Sequence, residues 1–86
     1  MIATEKQVKI AVHLYRNRDL MRRLYGSKWP SVVREYGDII REAMKGAKCD
    51  DPFAAVVGIE QAGGAEISQA LPMLLAVAVE MIEEGA

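Results

Sequence analysis

One histidine, His13, and one cysteine, Cys49, are the only side chains in the chain suited to proton transfer or nucleophilic attack near neutral pH. They are too far apart in sequence to form a local motif. His13 falls on a helix between its apolar seam and the side bearing Lys9 and Arg16, a boundary position where a histidine is normally solvated. Cys49-Asp50-Asp51 is the one local run of metal-ligand types, yet a metal site needs several converging ligands. Asp51 directly before Pro52 is better read as a helix cap. Glu80, Glu83 and Glu84 read as a solvated helix end, not a ligand set. Gly63-Gly64 has neither the strand nor the spacing of a phosphate loop. The expectation is a chain that is not an enzyme and carries no metal and no cofactor.

Recognition is the chemistry better represented. Between residues 15 and 36, Arg16, Arg18, Arg22, Arg23, Lys28 and Arg34 interleave with Tyr15, Tyr25, Trp29 and Tyr36, and only Asp19 and Glu35 oppose them. Arginine forks suit carboxylates and phosphates, and aromatic rings stack on bases. Tyr15 and Tyr36 fall within apolar arcs and are assigned to the core. The candidate partner-binding set is therefore Arg16, Arg18, Arg22, Arg23, Tyr25, Lys28, Trp29 and Arg34. A helix-turn-helix around Gly26 fits poorly. It sets Arg22 where a small residue packs between the helices, and Glu35 where an apolar one belongs. A protein partner is the first reading, a nucleic-acid partner the alternative, and a subunit whose site another chain completes the third. A purely solvated face is the bland counterpart.

The charge distribution supports that order. All eleven Lys and Arg lie in residues 1–48, against Glu5, Asp19, Glu35, Asp38 and Glu42. Residues 49–86 hold Asp50, Asp51, Glu60, Glu66, Glu80, Glu83 and Glu84 and no base. Such an acidic half repels DNA unless it faces away. A lone cysteine leaves a reducing compartment as the default. The first residues lack the basic-then-apolar pattern of a secretory leader. The apolar run 70–82 falls short of the roughly 20 residues a bilayer span needs. These readings give a cytoplasmic protein with no membrane partner.

Eighty-six residues make one domain. Thr4 with Gln7 forms a capping box, and the helix it opens runs to about Tyr25, with Gly26 as its C-cap. Ile10, Leu14, Asn17, Met21 and Leu24 form a continuous seam, with Asn17 as a register-setting or hydrogen-bonded residue. Val8, Ala11, Val12 and Tyr15 add a second apolar face to the first half only, so that half is expected to be sandwiched. A second helix, about 30–45, presents Val32, Val33, Tyr36, Ile39, Ile40, Ala43 and Met44 on one arc. Gly46 is expected to end it, and Gly37 implies a neighbouring backbone pressed close. Asp51-Pro52 starts a short, buried third helix that Gly63-Gly64 breaks.

The last helix, from about 65 or 68 to 84, holds the longest apolar run. Ile67, Ala70, Leu71, Leu74, Leu75, Val77, Ala78, Val79, Met81 and Ile82 cover more than half of its circumference. Glu66, Gln69, Met73, Ala76, Glu80, Glu83 and Glu84 take the remainder. A kink or a late first turn is expected at Pro72. A helix this apolar needs neighbours on two sides or a second copy of itself. The fold class is all-α: four helices, three long and one short, in a single-domain bundle around the apolar C-terminal helix. The first two form an antiparallel hairpin that clasps the others. The acidic end of the last helix should approach Arg16, Arg18, Arg22 or Arg23, since carboxylates at a helix C-terminus oppose its dipole. The functional expectation is a small protein-binding adaptor, regulator or inhibitor, with a homodimer to cover the last helix.

Overall fold

The computed structural model describes residues 4–84, and every regular element among them is helical. Helix α1 spans Glu5–Tyr25, a 3-10 turn covers Gly26–Lys28, and α2 spans Trp29–Ala47. Helices α3, Pro52–Ala62, and α4, Ala65–Glu83, complete the all-α architecture expected from the sequence.

Local signals place most of the boundaries. Thr4 Oγ1 accepts the Gln7 N–H at 3.2 Å while Gln7 Oε1 accepts the Thr4 N–H at 2.8 Å, closing the capping box. Gly26 takes φ +52°, a conformation that strains any side chain, and α1 stops there. Asp51 Oδ1 accepts the Phe53 N–H at 3.0 Å, and Pro52 occupies the first turn of α3. A Cβ on Gly63 would collide with the Ile67 side chain, so glycine there lets α4 begin directly after α3.

Two details of α2 differ from expectation. Helix α2 continues through Gly46 and ends at Ala47. The closing residue is Lys48, left-handed at φ 54° and ψ 43°; its N–H reaches Lys45 O, and the Cys49 N–H reaches Met44 O at 3.0 Å. This Schellman closure satisfies two end carbonyls and turns Cys49 back onto the core beside Met44, which outweighs the left-handed strain on a lysine. At Gly37 a Cβ would meet the Arg41 guanidinium at 3.2 Å, and no neighbouring backbone presses there. Helix α4 begins at Ala65, one of the two expected starts, and contains Pro72 within it, so of the two expected readings of Pro72 the late first turn is not realised.

Packing centres on α4, which touches α1, α2 and α3, as the apolar run predicts. Trp29 and Ile40 of α2, Ala55 and Val56 of α3, and Leu74, Val77, Ala78 and Met81 of α4 form one buried cluster. Surrounded on three sides, α4 has no outward arc along residues 73–81. Met73, Ala76 and Glu80, assigned to the polar side from the sequence, are buried, whereas Leu75 is half-buried and Ile82 is 42% exposed. The expected clasp is also different. Helices α1 and α2 make little contact with each other, and α1 has none with α3. Helix α1 therefore rests on α4 alone for most of its length. Among the described residues nothing covers its second apolar face, expected to be sandwiched: Val8, Ala11, Val12 and Tyr15 are all exposed.

Candidate protein-binding surface

The seam of α1 faces α4 through Leu14, Asn17 and Met21, all partly buried, while Ile10 and Leu24 at its ends stay exposed. Asn17 Nδ2 donates to the Pro72 carbonyl oxygen at 2.8 Å. That bond ties the seam to the proline turn of α4 and fixes the register of the two helices.

The next residue of α1, Arg18, is 6% exposed and Glu80, eight residues beyond Pro72, is 5% exposed, and they meet at 3.0 Å. Arg18 also holds both carboxylate oxygens of Glu83, one of them at 3.1 Å, and its Nε reaches Asp19 at 3.0 Å. Arg22 Nε adds a second cation to Glu80 at 2.6 Å. The Tyr15 ring lies 5.4 Å from the Arg18 guanidinium carbon, in cation–π range. Hydrogen bonds that Arg18 donates to Glu83, strengthened by those it donates to Glu80 and Asp19, outweigh desolvation and raise its pKa above the ordinary value. The reciprocal hydrogen bond from Arg18 holds the Glu83 carboxyl below the usual carboxylate value. The acidic end of α4 thus approaches the arginines of α1 as expected, through Arg18 and Arg22. Glu80 is tolerated in a helix wall of Ala and Val because two guanidinium groups satisfy it.

This cluster sorts the candidate recognition residues. Arg18 is taken up inside the fold, and Trp29 is buried in the core. Neither is on the surface that the sequence assigned to a partner. Arg18 goes inside because the α4 carboxylates compensate it, and Trp29 because α2 starts against α4. Arg22 is half exposed but committed to Glu80. Arg16, Arg23, Lys28 and Arg34 remain exposed. Tyr25 is also exposed, its ring tilted 41° to that of Trp29 with centroids 6.4 Å apart. His13 sits at the edge of a small cleft with Leu14, Asn17, Leu71, Pro72 and Leu75. Cys49 is a half-buried free thiol near the Asp51 carbonyl. Among the described residues no group of His, Cys, Asp or Glu is arranged to hold a metal ion. No described helix is long and apolar enough to cross a membrane.

The feature the recognition set omits is the outer face of α1. Gln7, Val8, Ala11, Val12, Tyr15, Arg16 and Asp19 line an open groove of about 370 Å³ along that helix. At 3.6 residues per turn, Val8, Ala11, Val12 and Tyr15 share an arc of about 100°. Arg16 and Glu5 flank the arc on one side. The apolar spacing is visible in the sequence; that no described element of the chain covers it is visible only in the fold. Comparison with known protein families, with curated proteins and with solved structures yields no match for this chain.

Proposed function

We propose that this chain is a non-catalytic protein-binding module, an adaptor or regulator, that works through the outer face of α1. The partner element is an amphipathic helix lying along Val8, Ala11, Val12 and Tyr15, with Arg16 and Asp19 at the rim. One observation carries the reading: a stripe of apolar side chains at helical spacing stands open on an element that its own chain supports from one side only. A soluble surface helix normally keeps apolar residues on the supported side and polar ones opposite. The arginines that favoured nucleic acid count for less in this arrangement, since Arg18 and Arg22 are matched by Glu80 and Glu83.

A photo-crosslinking residue replacing Val12 in the full chain tests this in the source cell, with Ile39, an exposed apolar residue of α2, as the control position. The expected result is a polypeptide adduct from position 12, absent from position 39 and lost on Val8→Asp. An adduct removed by nuclease, or equal yields from the two positions, overturns the reading.

A further inference from the structure

We infer that the helix occupying the α1 face is the α1 of a second copy of this chain, packed antiparallel about a two-fold axis near Ala11 and Val12. The inference rests on the binding reading above and names its partner. Surface area gives the first argument. A single chain of 9.5 kDa folded to ordinary compactness exposes about 5,000 Å². This one exposes 6158 Å², a surplus of about 1,100 Å². A standard interface takes about 800 Å² from each partner, so the surplus suffices for one. Part of it lies on the proposed face, where Val8 is 50%, Val12 44% and Tyr15 42% exposed.

The pattern of the face gives the second argument and the orientation. Across an antiparallel pair centred between residues 11 and 12, Val8 meets Tyr15 of the other copy, while Val12 meets its own counterpart on one side of the axis and Ala11 its own on the other. Large thus faces medium, and a small pair lies beside a medium pair at the axis, which fills the seam without a clash. On the flank, Glu5 comes beside Arg16 of the other copy. Asp19 comes to the capped N-terminus of the other α1, where the helix dipole favours a carboxylate. A parallel pair would instead stack Tyr15 on Tyr15 and Val8 on Val8 along the seam, and would carry Glu5 and Arg16 to opposite flanks, out of reach of each other across the interface. Isologous pairing also closes on itself, leaving no open apolar edge to propagate.

Sedimentation equilibrium from about 1 µM to about 500 µM is the direct test. The expected result is twice the 9.5 kDa chain mass for the parent. Val12→Asp should weaken association by about 100-fold or more, because it buries an unpaired carboxylate at the axis. Far-ultraviolet circular dichroism should be unchanged, since Val12 faces away from α4. Val8→Asp replaces that variant should it fail to fold. Orientation is read by disulfide trapping in a Cys49→Ala background. Val12→Cys should cross-link to itself. Val8→Cys should not, because antiparallel packing sets the two copies of position 8 about 10 Å apart along the axis, beyond the roughly 7 Å a disulfide bridges. A mixture of Val8→Cys and Tyr15→Cys chains should cross-link. A dimer that survives Val12→Asp overturns the inference, as does self-linkage of Val8→Cys. A monomer at every concentration also overturns it, and the position-12 adduct then separates two cases. A foreign helix in that adduct leaves the binding reading standing, and no polypeptide adduct removes both.

Discussion

Arg18 is where charge and packing meet in this molecule. Its guanidinium faces Glu80, Glu83 and Asp19, and the Tyr15 ring lies in cation–π range of it. Removing Arg18 leaves the buried Glu80 with Arg22 as its one remaining cation among the described residues and strips Glu83 of its hydrogen bonds from Arg18, so Arg18→Met is expected to cost about 3 kcal/mol in chemical denaturation. Adding Glu80→Met should recover most of that loss, because an apolar pair of similar volume replaces the ion pair. Were the double variant no better than the single one, the cost would lie in lost packing of the arginine stem. Acid acts on the same cluster through Glu83. Its folded pKa lies below its unfolded value of about 4.5, so protons bind the unfolded chain more tightly. Its contribution is complete above pH 4.5 and fades as the pH falls through the lower folded value. Glu83→Gln should therefore be less stable than the parent at pH 7, and the two should converge as the solution is acidified below pH 4 or so. A gap that persists unchanged at about pH 2 would assign the difference to something other than this carboxylate. Arg18 stays charged over that whole range.

Among the elements, α4 decides what is core and α1 what is left open. Leu74 is 2% exposed within the cluster, so Leu74→Ala is expected to lose about 2–5 kcal/mol. Ile82, two turns on, is exposed enough that Ile82→Ala should lose less than about 1 kcal/mol. Equal losses would mean that the end of α4 is covered in solution. The sequence made much of this legible. Thr4 with Gln7, Gly26, Asp51-Pro52 and Gly63-Gly64 mark boundaries because a cap or turn depends on a few adjacent residues. The pairing of the α1 arginines with the α4 carboxylates followed from the charge asymmetry and the helix dipole. Burial was less legible, because it depends on how many neighbours an element acquires. A wheel drawn for two neighbours sends Met73, Ala76 and Glu80 outward, and a third helix brings them in. The same count explains the opposite error on α1. Val8, Ala11, Val12 and Tyr15 have the spacing of a covered face, but α2 and α3 are occupied by α4 and by each other. Gly46 shows the limit of a boundary residue: the helix ends where its carbonyls find donors, two residues further on.

At the scale of the whole molecule, the need for a partner has moved from one helix to another. The apolar breadth of α4 argued for a second copy, yet the described residues cover α4 by themselves and leave the outer face of α1 open. A radius of gyration of 12.9 Å against about 12 Å for a compact chain of this length reflects that open helix. If the bare face is closed by self-association, folding and assembly are linked, and stability becomes a function of concentration. The single tryptophan, Trp29, is buried in the core and reports unfolding by fluorescence without any label. A tenfold rise in protein concentration then adds about 1.4 kcal/mol to the dimer, worth several degrees in melting temperature for a chain of this size. The parent is expected to show that dependence and Val12→Asp to show none, because its monomer has nothing left to gain from mass action. High salt should narrow the gap, since Glu5 and Arg16 are exposed charges whose attraction is screened. A melting temperature independent of concentration in the parent would place the chain's stability within α4 and its three supports, with α1 awaiting a helix from elsewhere.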